Sequence, residues 1–199
     1  MNGLISKHRV EALNDGIYAV AMTLLVLELK LPEGLPVADE DALAQELAHL
    51  APKAVAWILS FVILGIFWIG HQRAFHYVHA VDGRLLWINV FALLFASLMP
   101  FSSALLGEHT GFFASHLVYD ANMAALALTT LWQLHHLRSH PELCSPALPD
   151  PVFGGARLRC WWLVGISVFA VAVAAWNPRI ATLPFILMFL VARLGRTSP

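Results

Sequence analysis

Polar side chains are scarce inside the apolar stretches of this chain, so the few found there carry whatever chemistry it performs. Asp15, Glu28 and Asp120 are carboxylates within such stretches. Each is costly to turn toward hydrocarbon and should face protein, water or a carried cation. Ten histidines raise the question of a metal. His71, His76 and His79 surround one connection, and His135, His136 and His140 surround another. Neither group has HExxH or CxxC spacing, and zinc requires ligands converging at about 2.0–2.1 Å. His116 and Asp120 stand at i, i+4, which is too little for a metal hydrolase. A serine nucleophile would need a glycine-rich turn and a histidine partner, whereas Ser167 lies in the plain run GISVF. No catalytic residue, metal ligand or cofactor is therefore expected, and no basic patch with interleaved aromatics points to nucleic acid. The chemistry left is the handling of ions, with histidine charge available to tune it with pH.

The elements that must position these groups are membrane helices. The chain of 199 residues is 59% hydrophobic and 13% charged, where a soluble domain carries about 25% charged residues. Apolar runs predict six crossings at about 10–31, 52–73, 84–106, 112–136, 157–177 and 179–195. Each approaches the roughly 20 residues that span hydrocarbon at 1.5 Å rise. The whole chain parses as one six-helix unit, all-α, with no room for a catalytic domain outside the bilayer.

Charge sets the topology. Lys7, Arg9, Arg73, Arg84, Arg138, Arg157, Arg159, Arg193 and Arg196 fall at the termini and even connections, while Lys30, Lys53 and Arg179 fall at the odd ones. Both termini should thus be cytoplasmic. The N-terminal run is too long for a cleaved signal and lacks a small-residue cleavage site. Cys144 and Cys160 lie in or beside the fourth connection and should be reduced and unpaired. Residues 32–51 form an outer acidic connection. Within it Asp39 stands as N-cap of a short amphipathic helix bearing Leu43, Leu47 and Leu50; it serves either as a vestibule gathering cations or as a solvated connector. Residues 137–156, rich in Pro, Gly and Ser, read as an irregular cytoplasmic loop.

Helix one is the unusual element. At 100° per residue, Gly16, Val20, Thr23, Leu27 and Leu31 form a narrow stripe flanked by Leu24, with Thr23 its only hydroxyl. Asp15, Tyr18, Met22 and Leu29 lie opposite. Such a stripe serves plain helix packing as readily as a pore. Asp15 could be buried against protein or water, or simply pair with Arg9 or cap the helix.

The order Arg9, Leu13-Asn14-Asp15-Gly16 and IYAVAMTLLVLEL resembles the signature of the transmembrane-protein-175 family of potassium channels, Arg-x-x-x-Phe-Ser-Asp at the start of the first helix. FWIGHQRAF at 67–75, Asn89 and SLMPF at 97–101 match in order. The resemblance covers residues 8–105 and weakens beyond, where Tyr119 and general spacing support it. Leu13 replaces the family's Phe, and Asn14 replaces its Ser with another short polar group.

The resemblance implies a homotetramer in a bacterial cytoplasmic (inner) membrane, conducting potassium along a central path lined by first helices, with no re-entrant loop. Val20, Thr23, Leu24 and Leu27 would be the pore-facing residues. Rings of Val20 and Leu27 would stop ions by dewetting when narrow, and Thr23 hydroxyls would offer oxygens to a partly dehydrated cation. No TVGYG filter occurs. Arg9, Asn14 and Asp15 would join Trp68, His71 and Asn89 in a structural or gating network; Trp68 and His71, three apart, share a helix face. The alternative from another class is a proton- or sodium-coupled transporter using Asp15 and Asp120, although no broken helix pair or inverted repeat is visible.

Overall fold

A computed structural model describes residues 6–30 and 39–185 of the chain. Among these residues the secondary structure is helical: α1 (Lys7–Leu24), α2 (Glu40–His49), α3 (Ala51–Phe75), α4 (Gly83–Ser97), α5 (Met99–Glu108), α6 (Phe113–Ser139) and α7 (Asp150–Trp176). Four described segments are long and apolar enough to cross a membrane: Lys7–Glu28, Ala51–Phe75, Gly83–Glu108 and Asp150–Trp176. The protein is a multi-pass membrane protein.

The helix boundaries follow from local chemistry. The Asp39 carboxylate accepts the Ala42 amide at 2.8 Å and caps α2, and Asp82 caps α4 by accepting the Leu85 amide at 2.7 Å. Pro52 opens α3 at a position where its missing N–H is no loss. The run read as one helix over 84–106 is interrupted at Leu98, so that α4 and α5 are two helices. Pro100 is the cause: it cannot bond the carbonyl four residues back, and its ring crowds that turn.

Three boundaries differ from the sequence expectation. α7 begins at Asp150, inside the stretch 137–156 read as an irregular loop. Pro149 and Pro151 look like breakers, but proline is favoured in a first helical turn, and Gly154 and Gly155 are then carried along by packing. Helix one extends to Lys7 at its start, and its regular α geometry stops at Leu24; a 3₁₀ turn, Leu25–Glu28, completes it. Of the predicted sixth helix, 179–195, the described part holds the short 3₁₀ turns Pro178–Ile180 and Leu183–Phe185; the rest of it lies outside the described residues.

α6 sits at the centre. Tyr119, Met123, Leu126 and Ala127 are fully buried, and the helix packs against α4, α5 and α7. It has 27 residues, about 40 Å at 1.5 Å per residue, yet it is more polar than α3 and α7, the other helices of similar length. His116, Asp120, Asn122 and Gln133 are all buried on the side that packs against other helices, while Leu117, Leu128 and Trp132 are exposed on the opposite side. α3 and α5 approach so closely that a Cβ on Gly107 would lie 2.9 Å from Lys53 Cα. Only glycine fits there, and the neighbouring Glu108 pairs with Lys53 at 2.8 Å.

A second, smaller core closes the end of the bundle that carries most of the arginines. Val10 of α1 packs with Phe75, Val78, Val81, Leu85 and Leu134. The loops above it are tied by backbone bonds, His79 to Leu143 at 2.9 Å and Ser145 to Tyr77 at 2.8 Å. Arg138 pairs with Asp150 at the same end. Both cysteines, Cys144 and Cys160, are buried free thiols.

Candidate pore face and its polar anchor

α1 has two faces of opposite character. Val10, Asn14, Tyr18, Ala21 and Leu25 recur every three or four residues and are buried in the bundle. The other side carries the predicted stripe, of which Leu31 lies outside the described residues, and no other described residue covers the rest. Val20 is 55% exposed, Leu24 43% and Leu27 53%; Gly16 and Thr23 are exposed as well. Leu27 sits on the 3₁₀ turn, where residues three apart eclipse, and so stays in line with Leu24.

Thr23 is committed in one direction only. Its hydroxyl donates to the Ala19 and Val20 carbonyls at 3.0 and 2.9 Å. With the proton held by the helix, the oxygen lone pairs remain to accept from water or contact a cation.

Asp15, on the flank of α1, is anchored to α3. One of its carboxylate oxygens accepts the Trp68 indole N–H at 2.8 Å and a Gln72 amide N–H at 2.6 Å. Trp68 and Gln72 are four apart and therefore share a helix face. Sequence reading missed Gln72; its spacing from Trp68 was the available signal. Asn14 is buried and donates to the Val10 carbonyl of its own helix at 2.8 Å.

The expected single network is divided. His71 comes near Asp15 and Asn89, yet among the described residues neither ring nitrogen reaches hydrogen-bond geometry, and the ring stacks on Phe75 at 4.0 Å. Asn89 turns to α6, where its carbonyl accepts from Gln133 at 3.2 Å. Arg9 is exposed and makes no ion pair among the described residues, neither with Asp15 nor with another carboxylate. Asp15, Trp68 and Gln72 thus join α1 to α3, while Asn89 and Gln133 join α4 to α6, with His71 between the two groups.

Of the other carboxylates, Asp120 is buried on α6 with no hydrogen-bond partner on either oxygen among the described residues. Glu28, at the end of the first helix, lines a small recess with Lys53, Trp57 and Glu108. Asp82 binds the ring of His136 at 3.0 Å while capping α4. Burial alone would raise the Asp82 carboxyl, but the Leu85 amide and His136 outweigh it and hold the group below its ordinary value. Among the described residues, no three His, Cys, Asp or Glu side chains converge in a way that would hold a metal ion.

Comparison with known proteins places this geometry in context. Residues 9–100 match a family model described as endosomal/lysosomal potassium channel TMEM175. A Streptomyces collinus protein named as a potassium channel is 35% identical over 158 residues, covering 76% of this chain and 74% of its own. A Chryseobacterium protein, also named as a potassium channel, is 37% identical over 131 residues, 64% of each chain. The crystal structure of a lysosomal potassium-selective channel TMEM175 homolog from Chamaesiphon minutus superposes with a TM-score of 0.80. It is 25% identical and covers 96% of this chain and 98% of that one.

Proposed function

This chain belongs to the TMEM175 family, and from that premise we propose that it is a subunit of a potassium-conducting channel whose path runs between copies of α1. The observation that carries the reading is the uncovered face of α1, which holds Val20, Thr23, Leu24 and Leu27 while the opposite face is packed into the bundle. A helix at the rim of its own subunit with one polar oxygen in an apolar stripe is suited to meet identical helices about a shared axis. Four subunits, six crossings each, and both termini on the cytoplasmic side of a bacterial cytoplasmic membrane complete the proposal.

In this arrangement Val20 and Leu27 form apolar rings on either side of a Thr23 layer. The rings exclude water when close, and an ion passes only when they widen. Each Thr23 oxygen presents lone pairs because its proton is occupied by the Ala19 and Val20 carbonyls. Hydroxyls replace a hydration shell less completely than stacked carbonyls, so potassium is preferred over sodium only modestly. Asp15, held by Trp68 and Gln72, fixes the angle at which α1 leaves α3.

Gradient-coupled transport through Asp15 and Asp120 has less support. Asp15 is already engaged by two donors from α3, and Asp120 is sealed inside a different helix contact. Planar-bilayer recording of purified protein under potassium–sodium bi-ionic conditions, with oligomer mass from the same sample, tests the proposal. A reversal potential favouring potassium without any proton gradient is expected, from a tetramer. Flux that requires a gradient, or a monomeric active species, would refute it.

A further inference from the structure

Where α3 meets α7, two arginines stand on one seam. Arg73, in the last turn of α3, is one turn beyond Gly70 on the helix face whose Ile66 and Gly70 line a cavity with Arg159 of α7, and the two charges are close enough to repel. Neither has a carboxylate partner among the described residues. Like charges so placed favour an anion between them. Arg159 also lines a cavity of about 30 Å³ with Gly70, His71, Thr130 and Gln133. That is space for one or two waters, and His71, only 6% exposed, reaches it with neither ring nitrogen hydrogen-bonded among the described residues.

On the other side of Arg159, α7 carries an open groove of about 420 Å³, lined by Leu158, Trp161, Trp162, Gly165, Ile166 and Phe169. At 100° per residue Arg159 stands between this groove and the cavity. A phosphate would take forked hydrogen bonds from the guanidiniums, and cavity water would relay one to His71. A free phosphate has no use for the groove. A molecule carrying both an anionic head and a hydrocarbon tail uses the whole surface, and the paired tryptophans stand where interfacial aromatics meet headgroups.

We propose that an anionic phospholipid docks on the α3–α7 seam, its headgroup phosphate between Arg73 and Arg159 and one acyl chain along the groove past Gly165. Such binding goes beyond the channel reading, since it does not require the protein to conduct.

The test is native mass spectrometry of the full chain in detergent, titrated separately with phosphatidylglycerol, phosphatidylcholine and inorganic phosphate. Phosphatidylglycerol is expected to be retained in preference to phosphatidylcholine. Arg159→Gln should reduce retention about tenfold or more, as loss of a charge-assisted hydrogen bond implies. Arg84→Gln, a charge-matched control in the first turn of α4, should bind as wild type. Gly165→Phe should also reduce retention by filling the groove; a Cβ there meets no atom within 4 Å, so this variant decides the matter if Arg159→Gln fails to fold. Equal retention in wild type and Gly165→Phe overturns the proposal. So does equal binding of the two lipids, which leaves an apolar belt alone, or binding of inorganic phosphate that Gly165→Phe does not alter. A change of oligomer mass in Gly165→Phe with lipid retention unchanged assigns the groove to a second copy and overturns it too.

Discussion

The Trp68 indole donates its N–H to the Asp15 carboxylate at 2.8 Å, joining α1 to α3 with Gln72 as the second donor on the same oxygen. This is the polar tie among the described residues between the candidate pore helix and its neighbour, and it stands on the flank of α1 away from the buried Asn14.

Removing that tie should loosen α1 more than it alters ion preference. Asp15→Ala deletes two charge-assisted bonds and should destabilise the subunit by about 1–2 kcal/mol. The expected outcome is less of the proposed tetramer in detergent, read by oligomer mass, with the potassium–sodium preference of what remains assembled unchanged. A well-assembled tetramer with altered preference would place Asp15 in the ion path instead.

The two apolar positions and the hydroxyl should separate in function. Leu27→Ala, by thinning the proposed apolar ring, should raise the resting leak current. Thr23→Val keeps the shape but removes the oxygen and should lower potassium-over-sodium preference, read as a reversal-potential shift under bi-ionic conditions. Unchanged current and preference in both variants would remove α1 from the pore.

Gly107 offers a test of packing alone. A methyl group there would meet Lys53 Cα at 2.9 Å, so Gly107→Ala must push α5 away from α3. A loss of about 1–3 kcal/mol is expected for such overpacking, seen as a lower melting temperature of the purified protein. Gly16→Ala, where no atom lies within 4 Å of the new Cβ, should melt like wild type.

Asp82 predicts a pH dependence. Its folded-state carboxyl lies below the ordinary value of 3.8, so the ionised group contributes stability that is complete above about pH 4 and is lost as pH falls through the folded-state value. Asp82→Asn keeps a capping side chain but removes the charge. Its melting temperature should change less than that of wild type between pH 6 and pH 3. Parallel melting curves for both proteins would refute the assignment.

How much of this was legible beforehand can be judged residue by residue. The solvent was legible, because apolar runs long enough for a bilayer leave little else for the chain to do. The stripe of Val20, Thr23 and Leu27 was legible because helical geometry alone puts these residues on one side. That this side would be the uncovered one was not decided by periodicity, since in lipid both the packed and the exposed faces of a helix are apolar. The partner of Asp15 was half legible: Trp68 belonged to a recognisable segment, but Gln72 emerged only when α3 turned that face toward α1. Asn89 seemed to belong with Asp15, yet its bond goes to Gln133 on α6. Amide groups pair with whichever donor or acceptor the packing brings within 3 Å or so, and a linear sequence carries no such distances. The start of α7 among prolines and the contact of Gly107 with Lys53 belong to the same class. The chain's own order determined which segments are helices in a membrane and where their polar residues stand; the tertiary structure decided which of those residues meet, because helix rotation and close approach are set by the sum of many packing contacts and not by any local pattern.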